Sequence, residues 1–219
     1  MDVESILRGI SIWALPVMLA IVLHEVAHGW VADKLGDDTA RWMGRLTLNP
    51  LKHIDPVGTI LIPLLLLIMH SPFIFGYAKP VPIDFRKLRR PKQDMVWVAL
   101  AGPVTNLILA VASAVLLALL VEMPRSLGWL IEPLALMCQA SILINMVLCI
   151  FNLLPLPPLD GGRIAVGLLP GPAAYQLSRI EPYGFIIIVV LLLLGLFQVV
   201  LGPLILGASN FLIGWALGN

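Results

Sequence analysis

Two histidines and a glutamate stand at a spacing that chemistry can use: His24-Glu25-Val26-Ala27-His28, inside the first long apolar run. On a helix, positions i and i+4 share a face, so His24 and His28 can offer imidazole nitrogens to one metal ion. Glu25 projects about 100° round the helix from His24, within reach of a water beside that ion. This is the H-E-x-x-H arrangement of zinc hydrolases, in which the metal lowers the pKa of a water and the carboxylate takes its proton. The bland alternative is a pair of core histidines satisfied by neighbouring helices, with Glu25 paired locally. Three ionisable groups in an apolar run are costly, and residue type and spacing together favour the metal site.

A catalytic zinc usually has three protein ligands and a water. The position six residues after His28, where metzincins place a third histidine, is Lys34. His53 and His70 lack a partnering motif, and Asp33, Asp37 and Asp38 follow the helix too closely to fold back onto its face. Asp84, Asp94 and Glu181 read as solvated charges at loops or helix edges, while Glu122 and Glu132 flank the opposite end. Asp160 is different. It sits in Asn152-Leu153-Leu154-Pro155-Leu156-Pro157-Pro158-Leu159-Asp160-Gly161-Gly162, whose prolines and glycines cannot continue a regular helix. Irregular backbone at membrane depth is tolerated only where it is buried in protein or lines a wet cavity. Asp160 is therefore a candidate ligand, with a structural aspartate accepting backbone N–H bonds as the equal alternative.

The elements that must position these groups are apolar helices. Of 219 residues, 59% are hydrophobic and 12% charged, far from the balance of soluble domains. Several runs approach or exceed the roughly 20 residues that span a bilayer. The expected fold is an all-α polytopic membrane protein with about five to six membrane segments. The first helix runs from about Glu4 to Asp33 with a kink at Pro16, and the acidic Met1-Asp2-Val3-Glu4 start is unlike a cleaved leader. Long helices follow at about Asp94 to Val121 and Leu127 to Leu154, antiparallel across a short turn, then Tyr183 to Val200 and Leu201 to Leu217. The chain reads as one integral-membrane domain, 1–219, with a catalytic core at about 4–163 and accessory helices at about 183–217. Cys138 and Cys149, too far apart on one helix for a disulfide, read as buried thiols. A net charge of +1, with no broad basic face to neutralise phosphates, argues against a nucleic-acid partner.

Topology follows from sharing the metal. If the metal is shared, the first helix and the Leu127 helix end on one face, and Val57–Phe75 then dips in and returns, or pairs with the following stretch, rather than crossing once, as a membrane-dipping hairpin or edge strand after the first helix. That face then collects ten Lys and Arg from 33–56 and 76–93, plus Arg163 and Arg179, against Arg8 and Arg125 opposite. The positive-inside rule makes it cytoplasmic.

Beyond these readings, the chain resembles the site-2 proteases, zinc metalloproteases that cleave peptide bonds within the membrane. The resemblance is carried by His24 to His28, Asn49 to Pro56, Gly76 to Pro82, Ala101-Gly102-Pro103-Val104-Thr105-Asn106, and Asn152 to Gly162. It is similar to compact members without a PDZ domain. The resemblance implies zinc as cofactor, His24, His28 and Asp160 as its ligands, and Glu25 as general base. It implies a substrate or oxyanion contact at Asn152, and a transmembrane protein or peptide as substrate. The compact form points to a prokaryotic cell membrane, and a second copy of the chain is a further candidate partner beside the lipid bilayer.

Gly76–Ile83 is expected to hold the substrate extended by main-chain pairing, with a plain proline-rich connection as the equal alternative. Asn106 and Asn145 are read as helix-packing residues, and His53 as either a channel group or a solvated loop histidine. A zinc transporter has no use for Glu25 between the ligands and needs polar residues across the membrane; a silent adaptor leaves Glu25 unexplained.

Overall fold

The computed structural model describes residues 3–69, 76, 78–195 and 197–218. His70, the His70-Ser71-Pro72 step, Tyr77 and the first two residues lie outside the described residues. Helix α1 is Val3–Leu35 and contains Pro16; α2 is the short Thr39–Trp42. A π-helical turn, Pro56–Leu61, leads into α3, Ile62–Ile68. Asp55 starts it by accepting the Val57 and Gly58 N–H groups, which have no partner inside the helix. Helix α4, Pro91–Val121, opens on a proline whose missing N–H costs nothing there. Helix α5 is Gly128–Asn152, α6 Asp160–Leu168, α7 Gly171–Ser178, α8 Glu181–Leu193 and α9 Gly202–Leu217.

Four helices are long and apolar enough to cross a membrane, within α1, α4, α5 and 198–217. The α7–α8 pair, bent by 66°, makes a fifth if it is one span. Exposed Leu19, Ile108, Leu119 and Phe211 on these helices form the apolar exterior that lipid covers. The break before α9 comes earlier than the expected boundary between Val200 and Leu201: α8 stops at Leu193, and Gly195 adopts a φ of 94°, a left-handed conformation that ends helices.

Contacts fix the helix directions. Val98 and Asn106 of α4 meet His28 and His24 of α1, so these two helices are antiparallel. Asn106 meets Asn145 and Ser113 meets Ser141, so α4 and α5 are antiparallel too. At the far end Arg8 of α1 pairs with Glu132 of α5 at 3.1 Å. The buried stripe of α4 is Gly102, Asn106, Ala110, Ala114 and Leu117, mostly small residues that let helices approach. Helix α9 and the residue before it close the core, with Leu201 and Ile205 packed near Ala110, Met146 and Cys149.

The loops gather at the end of the bundle where α1 finishes. Lys79 N–H donates to His53 O at 2.9 Å and Arg89 N–H to Leu35 O at 3.0 Å. Arg45 Nη2 donates to Lys79 O at 2.8 Å and Pro80 O at 3.2 Å. The segment leaving after His53 therefore comes back to where it started, which a single crossing could not do. Both basic segments lie at that end. No strand forms among the described residues; residues 78–84 have no regular secondary structure.

Candidate metal centre

Helix α1 presents His24 and His28 on its buried face, 8% and 7% exposed. The irregular stretch after α5 delivers Asp160 as the first residue of α6. That delivery needs Gly161 and Gly162, because a Cβ there would fall 2.2 Å from Leu153 O and 2.1 Å from Pro157 N. His24 Nε2 and His28 Nε2 lie 3.0 Å apart, and Asp160 Oδ2 lies 3.4 and 3.3 Å from them. Zinc bonds of about 2.0–2.1 Å in a tetrahedron put neighbouring ligand atoms about 3.3 Å apart. The three spacings match that edge, and the two to Asp160 are longer than ordinary N–H···O bonds.

Proton placement supports the same reading. His24 Nδ1 is 2.6 Å from Asn106 Oδ1 and His28 Nδ1 is 2.7 Å from Val98 O. Both partners only accept, so each Nδ1 carries the hydrogen and each Nε2 presents a lone pair. The Asn106 amide is oriented by its own donor end, 3.2 Å from Ala20 O. Two nitrogen lone pairs and a carboxylate oxygen thus converge, and Asp160 Oδ2 is buried without a hydrogen-bond donor among the described residues. A cation between them satisfies all three, and two imidazoles with one carboxylate suit zinc. Gly102 makes the space: a Cβ there would sit 2.4 Å from His28 Nε2 and 2.5 Å from His24 Cε1.

A cavity of about 160 Å³ opens beside these atoms. Glu25 and Asn152 reach it with both histidines and Asp160, so the structure brings together every site residue expected from the sequence. Glu25 Oε2 accepts the Val81 N–H at 2.7 Å. Asn152 Nδ2 donates to Leu148 O at 3.0 Å, which leaves its second hydrogen for a ligand. A larger cavity, about 460 Å³ between Phe85, Met95, Val166 and Ala174, has no carboxylate or imidazole on its wall.

The rival ligands are engaged elsewhere. Asp33 pairs with Arg41, Asp38 with Lys87, and Asp84 with Arg86, whose guanidinium holds that carboxyl down at about 2. Asp37, fully buried, accepts from Thr39 and from Asp84 N–H; Asp94 caps Arg90 N–H. His53 is neither solvated nor on the cavity wall: it is buried with Nε2 2.9 Å from Thr47 O. Arg163 was not anticipated. It lines the cavity, one turn beyond Asp160, with its guanidinium 5.1 Å from the Phe85 ring centre. Its i+3 spacing from Asp160 was the available signal.

The extended stretch is tied inward more than expected. Lys79 and Val81 direct their N–H groups to His53 O and Glu25, while Pro80 and Pro82 have none. No main-chain donor of 79–82 is left for a substrate strand.

The sequence profile of peptidase family M50 matches residues 12–132 and 123–196. YwhC of Bacillus subtilis (strain 168), provisionally named a zinc metalloprotease, is 43% identical over 193 residues, covering 86% of this chain and 83% of its own. Rip2 of Mycolicibacterium smegmatis, provisionally named likewise, is 31% identical over 181 residues, or 80% of this chain and 64% of its own. Rip2 of Mycobacterium tuberculosis (H37Rv) is 29% identical over 144 residues, covering 66% and 52%. No solved structure matches the chain. With a zinc-compatible donor set buried in a bundle of membrane-length helices, the chain belongs to peptidase family M50, the site-2 proteases, and is a zinc-dependent protease of the membrane.

Proposed function

We propose that this chain is an endopeptidase that cuts transmembrane proteins or peptides within the bilayer, with zinc held by His24, His28 and Asp160 and Glu25 as general base. The observation that carries the reading is the convergence of three proton-free ligand atoms, 3.0–3.4 Å apart, beside the Glu25 carboxylate. Bound zinc supplies Lewis acidity to the attacking water and to the peptide carbonyl. Val81 N–H holds Glu25 Oε2, which leaves Oε1 to take the water's proton and return it to the leaving nitrogen. The free Asn152 Nδ2 hydrogen is placed to donate to the substrate carbonyl oxygen as its charge grows.

A substrate helix must be opened before attack, because its carbonyls are engaged internally. With the donors of 79–82 committed, an extended substrate would donate its own N–H groups to the carbonyls of Val81 and Pro82. The basic segments gather beside the site, which by the positive-inside rule supports a cytoplasmic face, and the compact form supports a prokaryotic cell membrane. The chain acts as one membrane domain, 1–219, in which the C-terminal helices brace the core.

Two measurements test the reading. Zinc per chain, in mild detergent, should be near stoichiometric for the native protein and fall sharply in Asp160→Ala; unchanged zinc removes Asp160 from the site. In proteoliposomes carrying a transmembrane peptide library, Glu25→Gln should retain zinc and lose about 10²–10⁴ in cleavage rate. An active Glu25→Gln protein sinks the proton-transfer scheme.

A further inference from the structure

Asn106 lies fully buried in the middle of an apolar helix, and all its polar capacity points somewhere definite. Its Oδ1 is 2.6 Å from His24 Nδ1, and its Nδ2 is 3.2 Å from Ala20 O and 2.8 Å from Asn145 Oδ1. Asn145, 1% exposed on α5, donates to Ser141 O at 2.8 Å and to Ser141 Oγ at 3.2 Å. Ser113 Oγ donates to Ser141 Oγ at 2.8 Å and returns the chain to α4. The polar line thus runs from the histidine face of α1 through α4 into α5.

A residue that only joined α4 to α5 would need the Asn145 bond alone. Here the acceptor end is committed to an imidazole. Turning the amide over would set Nδ2 against the His24 Nδ1–H and Oδ1 against two acceptors, so Ala20 O and Asn145 Oδ1 lock its direction. We infer that Asn106 is a positioning residue for His24, fixing its ring rotation and its Nδ1–H tautomer so that Nε2 faces the metal, and that Asn145 fixes Asn106. The inference rests on the metal-site reading above. His28 has the same service from a backbone carbonyl, Val98 O. Only at His24 is the partner a side chain that substitution can remove, and partners of this kind set ligand geometry and basicity.

The test compares zinc dissociation constants, by competition with a chromogenic chelator in detergent, with melting of the metal-free protein. Asn106→Leu keeps the shape and removes the acceptor; zinc affinity should fall about 10- to 100-fold. Asn106→Asp keeps an acceptor toward His24 but sets an oxygen against Ala20 O and Asn145 Oδ1. It should melt lower yet hold zinc within about threefold of the native protein, because a carboxylate serves an imidazole ligand at least as well. A packing role predicts that zinc affinity follows the melting loss in both variants, and that result overturns the inference. So does native-like affinity in Asn106→Leu. Where Asn106→Leu does not fold, Asn106→Asp decides alone: affinity retained despite lower melting supports positioning, and affinity lost overturns it. His24→Ala is the reference. Zinc lost there but unchanged in Asn106→Leu refutes this inference alone, whereas zinc unchanged in His24→Ala refutes the metal-site reading and this inference with it.

Discussion

Replacing Gly102 by alanine places one methyl group where the site has no room. Its carbon would sit 2.4 Å from His28 Nε2, and 2.5 and 2.7 Å from His24 Cε1 and Nδ1. Ordinary contact begins near 3.4 Å, so the rings must retreat by about 1 Å. Ligand distances in a metal site tolerate only about 0.2 Å. Without metal the imidazoles can rotate away, and alanine in a helix interior gains up to about 1 kcal/mol over glycine. With metal they cannot, so an overpacking strain of about 1–3 kcal/mol falls on the bound state alone. That corresponds to zinc affinity weaker by roughly 5- to 150-fold. The assay is chelator competition on Gly102→Ala beside Gly207→Ala, whose new methyl meets nothing within 4 Å. Gly207→Ala should bind zinc as the native protein does, and both should melt within a few degrees of it when metal-free. Native zinc affinity in Gly102→Ala would refute the placement of α4 against the two rings.

Other expectations follow from single contacts. Val81→Pro deletes the N–H that holds Glu25 Oε2, so cleavage should fall about 10-fold or more with zinc content unchanged; native turnover would show that the contact plays no part in catalysis. Asp37→Ala strips acceptors from the Thr39 and Asp84 N–H groups at a cost of about 2–4 kcal/mol, read as faster proteolysis within 76–84. Equal cleavage by protease would show that another contact anchors that stretch. Stripping zinc should abolish activity and lower the melting temperature, both restored by adding zinc. At a hundredfold excess over the dissociation constant the stabilisation is about 2.7 kcal/mol.

The sequence by itself determined the helical membrane class, the placing of two histidines and a glutamate on one stretch of helix, and the break that carries Asp160. These are local: i and i+4 share a helix face, apolar length decides membrane spans, and prolines with glycines stop a helix wherever they fall. Tertiary structure decided which carboxylate joins the histidines, since Asp160 lies far along the chain and only the antiparallel course of α4 and α5 brings it to α1. It also decided the service of Asn106, which reads as helix packing until its acceptor end is found 2.6 Å from His24. Val98 O and Val81 N–H act through main-chain atoms that every residue possesses, so no side-chain pattern could mark them. The extended stretch is the clearest case. Its prolines announced an edge, but only packing shows that the N–H groups preceding them, of Lys79 and Val81, face inward, to His53 O and Glu25.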